Sequence, residues 1–352
     1  MRAVLQHGIR DVRAAELPDP RPRPGEVLLR TRAVTICASD IHLFAEGDVG
    51  GVSWDRPFVP GHEVSAVVED ANGTALAAGR PVVLDPALPC KACDRCAAGQ
   101  FHVCRHLGFM DLPPVDGAMR ELIAWPADRV FAVPGNIDLV NAPLIEPLCI
   151  AVHAAELVSS LAGATVAVVG CGAIGLFTVQ MARLRGAARV LATDLIPERL
   201  ALAAEFGADL TVQVGREDPV SAILGATGGR GVEVAFEAAG PPEAVQQALE
   251  VVRPGGEVVV IGIPSEDEYR LRASQLRRNE ITLRFTRRQN ENYPEAISLV
   301  GDGRIRLGPL LTHRFPVDRA QEAFELAERK ADGAVRVAVV FGGPQAGSLR
   351  HH

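Results

Sequence analysis

An α/β fold in two parts is predicted for this 352-residue chain: a β-rich, irregular domain joined to a doubly wound parallel sheet. Three observations carry the prediction. Strand-like and helix-like segments alternate from about residue 165 to 285, which implies parallel strands covered by helices on both faces. A glycine fingerprint stands at the first strand-to-helix turn of that stretch. Before it, short apolar strands are separated by proline and glycine.

In the first 150 residues, 27–34, 64–68 and 81–84 read as strands, and 121–133 offers two more. The texture changes near residue 155. Residues 165–169 form a strand and 173–184 a helix; 189–193 form a strand and 197–206 a helix. Pro197 stands at a first helical position, where its missing N–H costs nothing. Further strands are expected at 210–214, 232–237, 257–261 and 281–285, with helices near 241–252 and 271–278. After about residue 288 the chain is expected to return to the first domain, through helices at 293–300 and 318–330 and a closing strand at 335–341. The predicted division is therefore 1–154 with 289–352, and 155–288. No internal repeat is visible. His351 and His352 read as the remnant of an expression tag and carry no metal argument.

The 36 basic and 43 acidic side chains leave a net charge of -7 with no long basic run. This argues against nucleic acid and anionic membrane surfaces as partners. Residues 1–20 lack the apolar core of a secretory signal. Residues 157–182 hold no charge and match a bilayer in length. Their glycines, Gly163, Gly170, Gly172 and Gly175, instead point to a buried strand, a turn and a buried helix. Four of the seven cysteines cluster as Cys90, Cys93, Cys96 and Cys104. In a long chain without a signal this reads as a metal site, not a disulfide framework, and implies a reducing cytoplasm.

Gly170, Gly172 and Gly175 form G-x-G-x-x-G after an apolar strand and at the start of a helix, the context that the pattern requires. The first glycine permits the tight turn, the second a close approach to a pyrophosphate, the third close helix–strand packing. The helix N-terminus adds free N–H groups and a positive dipole. Asp194 ends the next strand, 19 residues after Gly175. A carboxylate there accepts from ribose hydroxyls and repels a 2′-phosphate, which favours NAD over NADP. Arg199 reads equally as an adenine-stacking group or as a solvated helix arginine. Ile174, Ile261, Gly262, Ile263, Phe285 and Thr286 are further candidates for contact with the cofactor.

The cysteine cluster follows C-x2-C-x2-C-x7-C. Four thiolates close a tetrahedral shell around zinc with no open position, a site that staples a loop. An iron–sulfur cluster is disfavoured by the long last gap and by the absence of a proline after Cys104. A catalytic metal would need three ligands and an opening. Cys37, His62 and Glu63, with Glu146 near the domain boundary, are the candidates. Singly, each has an ordinary explanation: a buried thiol, a turn histidine, a helix-start acid.

What joins them is a resemblance. Cys37-Ala38-Ser39-Asp40-Ile41-His42, Gly61-His62-Glu63, the four cysteines, Glu146-Pro147-Leu148 and the glycine fingerprint follow one another in an order that resembles the zinc-containing medium-chain dehydrogenases, over about residues 1–341. Thr193-Asp194-Leu195, Arg199-Leu200, Phe206-Gly207-Ala208-Asp209 and Thr312-His313-Arg314-Phe315-Pro316 are similar to the sorbitol (polyol) dehydrogenase branch. The resemblance implies a GroES-like catalytic domain split around a Rossmann domain, with the active site in the cleft. It implies a catalytic zinc on Cys37, His62 and one or two of Glu63 and Glu146, and a second, structural zinc. It also implies a homo-oligomer, dimer or tetramer. Ala38 and Cys149 stand where glycine and serine are usual. The stretch 286–293, with Arg287, Arg288, Gln289 and Asn290, departs from the sorbitol-type pattern where relatives line the substrate pocket.

The implied reaction is zinc-assisted transfer of hydride from a secondary alcohol to NAD. Ser39 and His42 have the spacing of the family's proton relay, although Ser39 also suits a cap for a helix near Asp40. Asp40 is expected to hold the second nitrogen of His62. The resemblance implies that Glu146 binds the metal or its water in turn. Phe109, Arg287 and Arg288 are candidate substrate contacts, and the small-molecule substrate is read as an alcohol or polyol. The two arginines suit many hydroxyls, or alternatively a carboxylate or phosphate. Competing readings are threonine-type or sugar dehydrogenases, a zinc-free quinone reductase, and a non-enzymatic, zinc-stabilised NAD-binding protein. The intact ligand set with Ser39 and His42 speaks against the last two.

Overall fold

A computed structural model describes the chain except for Gly50, Val52, Ser53, Asp55, 265–267 and 343–352; His351 and His352 thus lie outside the described residues. Contacts divide the chain into two units. One comprises Met1–Glu146 with the chain from Tyr293 onward, the other Pro147–Asn292. The first seam falls inside the helix Ile145–Glu156, whereas the sequence reading put it between 154 and 155. A helix running through a boundary carries no proline–glycine linker to mark it.

The first unit is built on a seven-stranded sheet in the order Leu311–Pro316, Arg336–Val340, Glu26–Thr35, Glu63–Asp70, Pro81–Leu84, Val130–Ala132, with Leu122–Pro126 also paired to Glu26–Thr35. The long strand Glu26–Thr35 alternates buried and half-buried positions, the pattern of a sheet with one face on a core. Val27, Leu29, Val64, Ala66, Ile123 and Phe324 belong to that core. The helix Ala320–Arg329 packs there through Phe324, whose ring centroid lies 5.2 Å from that of Phe44. Two registers position the site: Thr35 lies opposite Glu63, and Ala338 opposite Thr35. The chain leaving Thr35, the chain entering Glu63 and the start of the strand Arg336–Val340 therefore meet at one end of the sheet.

The second unit is a six-stranded sheet in the order Leu210–Gln213, Arg189–Asp194, Thr165–Val169, Val232–Glu237, Val252–Val260, Thr282–Phe285, parallel at every pairing. Its core runs through Ala167, Val169, Leu191, Ala235, Val245 and Val258. The uncharged stretch 157–182 supplies the strand Thr165–Val169 and the helix Ala173–Leu184. Among the described residues no helix is long and apolar enough to cross a membrane. The strand expected at 257–261 begins at Val252; Pro254-Gly255-Gly256 reads as a turn because proline and glycine are poor strand residues. The amino-terminal hairpin Arg2–Gly8 with Asp11–Glu16 was likewise unread.

Candidate active site and metal centres

His62 and Glu63 enter their strand through Gly61, whose φ of 90° is left-handed. A Cβ there would come within 2.7 Å of Val34, so only glycine lets the turn lie on the neighbouring strand. Cys37 precedes the helix Ala38–Glu46 as its N-cap residue. One donor atom each from Cys37, His62 and Glu63 lies within 4.8 Å of the others, and all three residues are buried. A thiol, an imidazole and a carboxylate are a donor set that zinc accepts.

The partner of His62 is Asp111. Its Oδ2 lies 2.5 Å from His62 Nδ1, which makes Nδ1 the donor and leaves Nε2 to bind a metal. Phe109 is the neighbour of that imidazole, ring centroids 5.1 Å apart. Burial opposes a charged His62, but Asp111 and then the Cys37 thiol outweigh it and raise its basicity well above the ordinary value. Proton and metal therefore compete for Nε2.

Asp40 does not hold His62, contrary to expectation. Its Oδ2 accepts from Cys37 N at 2.7 Å and its Oδ1 from Gly61 N at 3.1 Å. It ties the two ligand-bearing segments together, and it stands within 4.8 Å of donor atoms of His62 and Asp111 without a hydrogen bond to the imidazole. Burial, then the neighbouring Asp111, raise its carboxyl well above the usual range.

Glu63 is held on both oxygens. Thr35 Oγ1 donates to one, and Arg336 Nη2 donates to the other at 2.7 Å. Arg336 also donates to Ile36 O at 3.0 Å. Burial opposes its charge, yet Glu63, Cys37, Glu146 and Asp40 together raise the guanidinium above its ordinary value. Carboxylate oxygens keep spare lone pairs beside such partners, so Glu63 remains able to meet a cation. Glu146 is buried in the first turn of Ile145–Glu156 and acts on Arg336 by charge, but stands outside the three-residue group.

Asp111→Asn keeps the shape and removes the charge behind His62. Zinc affinity or turnover should fall by roughly 10–100-fold, the usual cost of losing such a support. Competition with a chelating dye measures it, and an unchanged zinc affinity with unchanged turnover would refute the role.

Ser39 and His42 lie three residues apart on the helix Ala38–Glu46 and so share a face. Ser39 is the second helical residue, so the capping alternative fails. His42 Nδ1 lies 3.2 Å from Glu46 Oε2.

The four cysteines form the second cluster. Their Sγ atoms lie within 4.8 Å of one another, with Cys93–Cys96 at 3.6 Å, Cys93–Cys104 at 3.9 Å and Cys90–Cys96 at 4.0 Å. Zinc–sulfur bonds of about 2.3 Å imply tetrahedron edges of about 3.8 Å, whereas a disulfide needs about 2.05 Å. The spacing therefore fits a closed zinc shell. Backbone N–H groups of Arg105 and Cys96 hold the Cys93 thiol down to about 6. The lobe is tied to the sheet by Lys91 with Asp128, and by Arg129, which lies over Phe101 and pairs with buried Asp85 at 3.1 Å.

In the other unit, Gly170 has φ of 93° and bonds Thr193 O. A Cβ on Gly175 would fall 1.9 Å from Gly170 O, the close packing expected of the third glycine. Gly172 caps the helix Ala173–Leu184, whose first turn contains Ile174. Asp194 Oδ2 accepts from Cys171 N at 2.6 Å and Oδ1 from Ile196 N at 2.8 Å, which fixes the carboxylate at the turn. Arg199 reaches the same turn, its Nη1 lying 4.0 Å from where a Gly172 Cβ would stand. Ile261, Gly262 and Ile263 follow the carboxyl end of Val252–Val260; Phe285 ends its neighbouring strand and Thr286 N donates to Val260 O at 2.8 Å.

The stretch after Thr286 builds its own turn. Gln289 and Asn292 are buried and their amides serve the turn itself: Gln289 Oε1 accepts from Asn292 N, Asn292 Oδ1 from Asn290 N, and Asn292 Nδ2 donates to Glu156. Arg287 is exposed and Arg288 half-buried with φ of 55°. Sequence reasoning missed Asp111 and Arg336. Asp111 carries no spacing signal, but Arg336 does: it is a lone charge in the apolar run 334–341.

Residues 23–135 match the alcohol dehydrogenase GroES-like domain, and residues 173–302 the zinc-binding dehydrogenase domain. The chain is 33% identical over 341 residues to a sorbitol dehydrogenase of Bacillus subtilis, covering 96% of this chain and 97% of that one. It superposes on L-idonate 5-dehydrogenase of Escherichia coli with a TM-score of 0.90 at 29% identity, covering 97% and 98% of the two chains. A Sinorhizobium meliloti protein assigned as a zinc-binding dehydrogenase, solved bound to NADP, gives a TM-score of 0.89 at 30% identity, covering 97% and 99%. The GroES-like and parallel-sheet units, the two donor clusters and this full-length similarity make the chain a member of the zinc-containing medium-chain dehydrogenases, in their sorbitol dehydrogenase-like branch, and an oxidoreductase acting on CH–OH groups.

Proposed function

We propose that the chain oxidises a secondary hydroxyl of a small polyol to a ketone, reversibly, with NAD. The observation that carries this is the convergence of Cys37, His62 and Glu63, backed by Asp111 and Arg336. In this reading those three hold the catalytic zinc, Glu146 serves it or its water, and Cys90, Cys93, Cys96 and Cys104 hold a structural one. When bound, zinc supplies a Lewis acid for the alcohol oxygen and NAD accepts the hydride. The protein supplies order: Asp111 sets the tautomer of His62, Asp40 holds the Cys37 and Gly61 amides, and Arg336 offsets the acids. Ser39 and His42 pass the released proton along one helix face toward Glu46.

Asp194 supports NAD. In this reading its carboxylate accepts from the adenosine ribose, where a 2′-phosphate would add repulsion; Arg199 beside it would favour NADP. Seven free cysteines fit a reducing cytoplasm. The edge strand Thr282–Phe285, with Phe285 exposed, suits pairing with a second copy.

Arg287 and Arg288 favour a second reading, an anionic sugar derivative. Initial rates on xylitol, sorbitol, threonine, simple secondary alcohols, sugar acids and sugar phosphates, each with NAD and NADP, separate the readings. Turnover of neutral polyols with NAD, and a raised KM in Arg288→Ala, is the expected result. Activity confined to anions or to short alcohols, or equal use of NADP, overturns it.

A further inference from the structure

The dinucleotide-binding unit holds one buried acid to which the proposed function gives no task. Glu237 ends the strand Val232–Glu237 and has no exposed surface. Its Oε1 accepts N–H bonds from Ala239 and Gly240, both at 2.6 Å. Its backbone carbonyl accepts from Ile261 at 2.7 Å and Gly262 at 3.2 Å. Its Oε2 faces Gly262, where a Cβ would come within 2.8 Å of it, and has no hydrogen-bond partner among the described residues. The acid thus sits in a cradle made by two glycine loops at the carboxyl ends of adjacent strands.

Burial raises this carboxyl above the ordinary glutamate range, while the N–H groups of Gly240, Ala239 and Gly262 favour the charged form. Tyr269, whose Oη lies 3.4 Å from Gly240 O, has its phenol raised first by burial and then by the Glu237 carboxylate.

Sheet order decides which half of a dinucleotide passes over Glu237. Asp194 ends the strand on one side of Thr165–Val169, and Glu237 ends the strand on the other. The pyrophosphate belongs at the glycine turn between them. Adenosine on the Asp194 side leaves the nicotinamide half for the Glu237 side. The two loops are in contact there: Ala238 N donates to Val169 O at 2.8 Å, and a Cβ on Gly170 would meet Ala239 N at 2.9 Å.

We propose that Glu237 is a charge-discriminating residue for the nicotinamide: its buried negative charge favours the cationic, oxidised ring over the neutral, reduced one. The proposal rests on the dinucleotide reading above. Gaining a hydride neutralises the ring, so the same charge is lost as a partner when the cofactor is reduced. The bound couple is thereby held toward its oxidised form, which favours hydride donation to a ketone.

Dissociation constants for NAD+, NADH and ADP-ribose, measured on the holoenzyme and on Glu237→Gln, test it. Glutamine keeps an oxygen for Ala239 and Gly240 and removes the charge. NADH is followed by its fluorescence, the other two by calorimetry. ADP-ribose lacks the ring, so its affinity should not change. NAD+ should weaken relative to NADH by about tenfold, the order expected of one unit charge acting through several ångströms of protein. An unchanged NAD+ to NADH ratio overturns the proposal. A wild type that binds neither ADP-ribose nor NAD+ overturns the dinucleotide reading instead. Should the glutamine variant not fold by circular dichroism, the wild type is compared on NAD+ and benzamide adenine dinucleotide, its uncharged isostere. Preference for NAD+ by a similar factor supports the role, and equal affinities overturn it.

Discussion

Cys37→Ala is expected to abolish turnover, to leave the fold intact and to leave the four-cysteine lobe its zinc. Cys37 is the only sulfur in the three-residue group, and two remaining ligands do not make a catalytic site. Loss of Lewis-acid stabilisation is worth several kcal/mol, so the rate should drop by roughly 10³-fold or more. The structural cost is small by comparison. The side chain is buried, but truncation to alanine removes one atom and leaves the Cys37 N–H on Asp40, so about 1 kcal/mol or less is expected. Initial rates, circular dichroism and metal analysis on one preparation check all three parts. Full activity in the variant would show that Cys37 holds no catalytic metal.

Cys93→Ala is expected to act in the opposite order, on stability first. The lobe carries only the short helix Asp94–Ala97 and a single 3-10 turn, too little apolar burial to hold a loop of this length by itself. Structural zinc contributes about 10–16 kcal/mol in small zinc domains, and a part of that is lost with one thiolate. A melting temperature lowered by several degrees or more and the loss of one zinc per chain should appear together. The fraction that stays folded should retain turnover, because Lys91, Arg129 and Phe101 contact the sheet through Asp128 and Asp85 and not through Cys37 or His62. An unchanged melting temperature would show that the lobe needs no metal.

The sequence made legible what is local. The glycine fingerprint, the four spaced cysteines and the strand–helix alternation are each set by neighbours a few residues apart, and each is found where it was read. The residues that tune the site are different. Arg336 meets Glu63 across 273 residues, and Asp111 meets His62 across 49; no periodicity connects such pairs. Asp40 was misassigned because proximity in sequence to Cys37 says which segment it sits on, not which way its carboxylate turns. It turns to the unpaired amides of Cys37 and Gly61, which buried backbone demands. In the stretch that departs from the family pattern, the turn itself uses the Gln289 amide and the Asn290 N–H, bonds that no spacing in the sequence announces. Glu237 ends a strand that already carries one acid, Glu233, and its burial follows from two glycine loops that only the fold brings together.

In the proposed reading this chain holds two zincs in separate roles, one on four thiolates and one on Cys37, His62 and Glu63. Elemental analysis of the purified, active wild type tests it most directly. Close to two zincs per chain are expected, falling to one in Cys37→Ala. A fully active wild type with one zinc or none, or a Cys37→Ala variant that still holds two, would contradict it.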